Sequence, residues 1–367
     1  MTAVEPPIVP DDVDALVDRL TEAAAASFDV LAIHLGDELG LFRALARLGP
    51  LTATELARET ALYRRPVREW LEHGAATGLL ARVEDADDPN DRRYALPSAA
   101  ASVVADSRSL SYWAPTARQI VATLGQADLV VAAFRTGRGF TLGDTGDEMR
   151  SGEATANKAA YLNDLGRTWI PAVPDLADRL RREPPARIAD VGCGLGWSSI
   201  GMALAFPLVR IDALDLDEPS IETARRNAAE AGVADRVQFA VASADHPGLS
   251  GSYELVTVLE AFHDMARPVA VLSAVAAVLA PDGSILIADT KAGDRFEPPT
   301  DARERLHYGW SLAHCLYSSF GGPEDEQTGT MLRPPTLRRY ASTAGLDVEI
   351  LPIEHKSWQF YRLTAAN

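Results

Sequence analysis

The sequence predicts an α/β protein: a mainly parallel sheet with an antiparallel edge hairpin, preceded by a mostly helical region that carries two short strands. Three observations predict it. From Arg187 onward, strand-like and helix-compatible segments alternate, the pattern of a parallel sheet covered on both faces. The first of those strands runs into "DVGCGLG", with Gly192, Gly194 and Gly196 at every second position and a helix-compatible stretch behind them. Ahead of Pro184-Pro185, apolar residues recur instead at helical spacing.

Composition narrows the class. At 367 residues, with 47% hydrophobic and 24% charged, the chain reads as a globular protein of about two domains. A formal charge of −17 opposes general nucleic-acid binding, because neutralising phosphates takes Lys and Arg in excess. With only Cys193 and Cys315, no disulfide framework is expected, and a reducing cytoplasm fits. No run is apolar enough to span a bilayer, and the acidic, proline-containing start is the reverse of a signal peptide. The expectation is a cytoplasmic protein.

Taken in order, residues 1 to about 12 are expected to be disordered. Helical spacing then runs from Asp12 to about Leu48 and stops at Gly49-Pro50. Thr52 or Thr54 offers a cap for the next helix, "YRRPVREWLEHGAATGLL" supplies another, and strands around 79–83 and 93–96 flank a polar tip. Helices followed by a two-stranded wing are the winged-helix order, over about residues 26–97. Residues 1–97 carry 18 acidic residues against 10 Arg and Lys, and the wing tip holds Glu84, Asp85, Asp87, Asp88 and Asp91. Phosphates would be repelled, so dimerisation or shaping of a substrate site is expected there, with Arg64, Arg65 and Arg68 on a solvated face. Residues 98–183 read as mostly helical, their aromatics Tyr112, Trp113, Phe134 and Phe140 packing helices or walling a pocket. The sheet region follows from 184 to 367, closing with a helix that ends at Gly345 and a two-strand hairpin. The expected domains are therefore 1–97, 98–183 and 184–367.

A strand that feeds Gly-x-Gly-x-Gly and then a helix presents bare backbone N–H groups to a ligand. Asp215, at the end of the next strand, is placed to accept from both ribose hydroxyls, with Asp217 beside it as a helix cap. A nucleoside cofactor is implied. S-adenosylmethionine is favoured over a dinucleotide, because Asp190 lies inside the turn, the dinucleotide glycine spacing is absent, and only one α/β half follows. Asp190 would either draw a ligand ammonium or order the loop, and Asp245 in "ASADHPG" lies within reach of an adenine amino group.

These motifs, with "YELVTVLEAFHDMARPVAVLSAVAAVLAPDGSILIADT", resemble the class I S-adenosylmethionine-dependent methyltransferases, and among them the dimeric small-molecule enzymes with an N-terminal winged helix. "LAHCLYSSF…GTMLRPPTLRRYASTAGL" is similar to actinobacterial natural-product methyltransferases. The resemblance implies a Rossmann-like catalytic domain, a homodimer formed through the N-terminal domain, and a small-molecule acceptor without nucleic acid or membrane partners. It also implies a cofactor set of Asp190, Gly192, Gly194, Gly196, Asp215, Leu216, Ala244, Asp245 and Glu260. In such O-methyltransferases a His-Asp pair follows the fourth strand and the histidine is the base; here these are His263 and Asp264. Met265 stands where the family usually has Trp, and Asp289 where it commonly has a base-orienting glutamate.

Methyl transfer from a sulfonium demands alignment, and a hydroxyl acceptor must also lose its proton, a task suited to histidine. His263 is the expected base and Asp289 its orienting partner, while Asp264 either assists or caps the helix that follows. His307 and His314, seven apart and so on one helical face, are expected with Trp310 and Trp113 to line the acceptor pocket. No metal is expected; the arrangement weighed against that is a His/His/carboxylate iron site that includes His263, and whether His263, His307 and His314 bind a metal is left open. Oxygen is the favoured acceptor, with nitrogen or carbon open. The competing classes are a cofactor-sensing winged-helix regulator and an enzyme using the same cofactor for a non-methylating reaction.

Overall fold

The computed structural model describes residues 12–320, 322 and 325–366, without the side chains of 147, 148, 151, 153 and 154. The expected N-terminal disorder concerns residues outside that range, save Asp12, which caps the first helix by accepting from the Asp14 N–H. Two compact units form: residues up to Gly125 with Ser151–Ala159, and Gln126–Arg150 with Ala160–Asn367. The expected boundaries after 97 and after 183 fall inside these units. Among the described residues no helix is long and apolar enough to cross a membrane.

In the first unit, α1 (Val13–Glu38) and α2 (Leu41–Leu48) replace the single helical run expected to Leu48. The break is at Gly40, whose φ of 71° is the left-handed region that glycine adopts without a Cβ clash. A short β1 (Leu51–Thr52), missed in the sequence, leads into α3 (Ala53–Thr60). Thr52, not Thr54, caps α3 in a capping box with Glu55, an arrangement that contributes about 1 kcal/mol. Then come α4 (Arg64–Ala76), β2 (Ala81–Glu84), β3 (Arg93–Ala95), α5 (Ser98–Val104) and α6 (Ala114–Leu124), with the sheet ordered β1-β3-β2. Phe42 and Trp70 meet edge to face at 5.0 Å in the core, and Tyr112, Arg43 and Arg118 converge on the buried Asp37. The wing arginines are taken by carboxylates: Arg92 by Asp85 at 3.1 Å and Arg93 by Glu55 at 2.8 Å.

The second unit opens with α7 (Ala127–Thr136) and α8 (Leu142–Thr145); α9 (Asp147–Asn163) spans both units, and α10 (Pro174–Leu180) follows a π turn and a 3₁₀ turn. The sheet helices and strands are β4 (Arg187–Val191), α11 (Trp197–Ala205), β5 (Arg210–Asp215), α12 (Glu218–Glu230), β6 (Val237–Val241), β7 (Tyr253–Leu259), α13 (Pro268–Ala276) and β8 (Leu279–Thr290). Then come α14 (Ala302–Trp310), α15 (Leu316–Ser318), α16 (Pro334–Thr343), β9 (Leu346–Ile350) and β10 (Trp358–Ala365). The seven strands are ordered β6-β5-β4-β7-β8-β10-β9. Strands β4 to β8 are parallel, and β10 enters antiparallel to β8, so the expected edge hairpin is present. Alternate residues bury on opposite faces, Ile188, Ile211 and Leu255 on one and Ala189, Val191 and Val256 on the other, as strands covered on both sides require. The chain runs outward from β4 to β6 and then restarts beside β4 at β7. Such a reversal opens a crevice at the carboxyl ends of the strands.

Candidate active site

The glycine corner sits at that edge. Gly192, Gly194 and Gly196 have φ of 72°, 50° and 81°. Their reasons for being glycine differ. A Cβ on Gly192 would lie 2.6 Å from Ala261, and one on Gly196 2.9 Å from Phe239, whereas one on Gly194 would meet nothing within 4 Å. Gly194 alone therefore opens onto free space, and its N–H donates to Asp215 Oδ2 at 2.8 Å. The other oxygen of Asp215 accepts from the Asp217 N–H at 2.9 Å, so backbone donors hold both carboxylate oxygens. Burial raises the Asp215 pKa against those two hydrogen bonds. Leu216, next in sequence, is 71% exposed beside it. Asp217 is indeed a cap: it accepts from Ser220 and pairs with Arg150 at 2.6 Å.

Asp190 is 1% exposed, and its carboxylate is held from the start of α11 and the neighbouring strand β7. Ser198 and Ser199 donate to one of its oxygens at 2.6 Å each, and Thr257 to the other at 2.7 Å. Burial pushes its pKa up, opposed by these donors. Asp245 is likewise turned inward: its carboxylate is held by Ser243, Arg267 and His246, the last at 3.2 Å. Burial works to raise its pKa, but those partners together bring it below the usual range. Ala244 is half-buried on the same loop. Glu260, just past β7, holds a φ of 55°, which for a side-chain-bearing residue costs about 1–2 kcal/mol and marks a constrained corner.

His263 lies on the 3₁₀ turn Phe262–Asp264 after β7. Its Nδ1 is 2.8 Å from Asp289 Oδ1 on β8, and its backbone N–H donates to Asp289 Oδ2 at 3.1 Å. Both side chains are essentially buried. The opposite nitrogen, Nε2, stands 3.5 Å from Asp264 Oδ1, and the Cys315 Sγ lies within 4.8 Å of the same group. Burial is the largest influence and favours a neutral ring, but Asp289 and Asp264 outweigh it and raise the His263 pKa well above the ordinary value. Burial also pushes the Cys315 thiol up to about 12. Asp264 is not the cap once allowed for it: α13 starts at Pro268 after Arg267, because Asp264 is drawn back to the imidazole.

His307 lies on α14 and His314 inside the π turn Ser311–Cys315 that follows it, so the even two-turn spacing read from the sequence is broken. Both still come within electrostatic reach of His263, and burial lowers both pKa values. Among the described residues, the side chains grouped closely enough to hold a metal are His263, Asp264 and Cys315, not the three histidines. Trp310 is half-buried at the end of α14. Phe140 and Phe134 pack on Tyr317, with ring centroids 5.1 and 6.3 Å away, while Tyr112 and Trp113 belong to the first unit, where Trp113 starts α6. The sequence reading missed Ser198, Ser199 and Thr257 around Asp190, Arg267 on Asp245, and Cys315 on His263. Only the serines carried a local signal, eight and nine residues from Asp190 at the start of the next helix.

Comparison with known proteins fits this geometry. Residues 188–283 match the model of a methyltransferase domain, and residues 26–106 that of an Rv2258c-like winged HTH domain. The chain is 34% identical over 134 residues to a 27-O-demethylrifamycin SV methyltransferase of Amycolatopsis mediterranei (strain S699), a match covering 35% of this chain and about half (49%) of that protein. In fold it is similar to the mitomycin 7-O-methyltransferase MmcR, with TM-score 0.70 and 20% identity over 96% of this chain and 98% of that one. Human N-acetylserotonin methyltransferase, solved with SAM, gives TM-score 0.68 and 17% identity over 98% and 99% of the two chains. The class is thus a Rossmann-like methyltransferase domain behind a winged-helix domain.

Proposed function

We propose that this chain transfers a methyl group from S-adenosylmethionine to a hydroxyl oxygen of a small molecule, with His263 as the base. The observation that carries the reading is the buried His263–Asp289 pair, 2.8 Å apart, on the same sheet edge as the open glycine corner. The corner suits the cofactor: Gly194 faces free space, Asp215 is braced for ribose hydroxyls, and Leu216 offers an apolar side chain for the base. When bound, the cofactor supplies a methyl already activated on a sulfonium. The chain's own task is to hold the acceptor in line and take its proton at His263 Nε2. Asp289 fixes the ring through Nδ1 and stabilises the imidazolium that results. Because the His263 pKa is raised, kcat/KM climbs with pH until that pKa is passed.

The same reading includes a homodimer. Val13, Val17, Leu20, Phe28, Leu31 and Leu35 are exposed on α1. At 100° per residue they fall within an arc of about 80°, an apolar stripe that a second copy would bury. Relatives named for rifamycin and mitomycin chemistry support a role in natural-product biosynthesis. Both cysteines are free, which fits a reducing compartment, and the cytoplasm is the location we propose.

The test is calorimetry with S-adenosylhomocysteine, followed by transfer of labelled methyl from the cofactor to a panel of phenols and alcohols. Binding with product labelled on oxygen is expected; absence of nucleoside binding would overturn the reading.

A further inference from the structure

We propose that His263 Nε2, Asp264 Oδ1 and Cys315 Sγ form a binding site for one zinc-like divalent cation, at the atom that takes the acceptor's proton. The three ligand atoms lie within 4.8 Å of one another, and Nε2 and Oδ1 are 3.5 Å apart. Tetrahedral coordination with bonds of 2.0–2.3 Å sets ligand atoms roughly 3.3–3.8 Å from each other, so closure on an ion asks for little movement.

Three further observations point to a ligand. Asp264 Oδ1 is buried and, although 3.5 Å from His263 Nε2, makes no hydrogen bond, a condition buried polar atoms rarely tolerate. His314, 7% exposed and adjoining Cys315 in the chain, has an unpartnered buried Nδ1 of its own and feels the charge of Asp264. On the far side of the ring, Asp289 accepts from Nδ1 at 2.8 Å, the carboxylate–histidine support that fixes a metal-binding imidazole and turns its other nitrogen outward.

The donor set chooses the ion. One nitrogen, one carboxylate oxygen and one sulfur suit Zn²⁺ or Co²⁺ and disfavour Mg²⁺ and Ca²⁺, which take oxygen ligands. Three protein ligands leave a fourth position for water or acceptor, and the 25% exposed Asp264 side chain gives the ion a way in. A bound ion would take the Nε2 lone pair, so ion and acceptor proton compete for one atom. That consequence, though not the binding itself, rests on His263 being the base.

The experiment is titration of the full-length protein with Co²⁺, followed by its thiolate-to-cobalt charge-transfer absorption, with S-adenosylhomocysteine calorimetry on the same samples. One ion per chain is expected, displaced by Zn²⁺. The band should vanish in Cys315→Ser, survive in Cys193→Ser, and require at least tenfold more Co²⁺ in Asp264→Asn. Circular dichroism confirms that each variant is folded. No band in the wild type, or a band that persists in Cys315→Ser, overturns the site. Protein that binds the nucleoside but no Co²⁺ refutes the site alone; protein that binds Co²⁺ but no nucleoside refutes methyl transfer alone.

Discussion

The two halves of the sheet's carboxyl edge are built differently. On the β4–β5 side, the glycine corner and Asp215 are held by backbone N–H groups, Gly194 and Asp217 donating at 2.8 and 2.9 Å. On the β7–β8 side, His263 is met by side chains from elsewhere: Asp289 on β8 holds Nδ1, and Cys315 beyond α14 lies close by. A backbone-braced site keeps its geometry when one side chain is lost. A site of converging side chains does not, and its protonation depends on every member.

Variants at each half test that contrast. The largest effect is expected from His263→Ala, a fall of about 10²- to 10⁴-fold in kcat with S-adenosylhomocysteine affinity unchanged, measured by methyl-transfer kinetics and calorimetry. Next comes Asp215→Ala on the other half, removing charge-assisted hydrogen bonds of about 1.5–3 kcal/mol. That weakens nucleoside affinity by about 10- to 150-fold and leaves the pH dependence of turnover unaltered.

A subtler effect is expected at Asp289. Because the folded pKa of His263 lies above its unfolded value of about 6.5, its cation stabilises the fold fully below that value. The contribution is lost as pH rises through the raised folded pKa. In the wild type, kcat/KM should therefore rise with pH over the range in which Tm falls. Asp289→Asn removes the stronger carboxylate partner and should move both transitions to lower pH, as paired pH–rate and thermal-melt profiles would record. The smallest effect is Thr257→Val, which deprives Asp190 of one of three donors. It should cost about 1–3 kcal/mol in denaturant unfolding with little change at His263.

How far the site could be read from sequence follows the same divide. Asp217 capping its helix, the left-handed glycines and the strand-end position of Asp215 are local, set by residues a few positions apart. The inward turn of Asp245 and Asp190 was not legible, because Thr257 reaches Asp190 across 67 residues. The break at Gly40 was also missed, since α1 and α2 share one apolar periodicity and only the left-handed backbone separates them.

By itself the sequence determined the alternation of strands and helices, the bare corner and the histidine placed after the fourth parallel strand, since hydrophobic period and backbone sterics act over neighbouring residues. The tertiary structure alone decided which donors hold each carboxylate, and which groups surround Nε2. Those outcomes depend on burial and on partners contributed by distant strands, which no local pattern encodes.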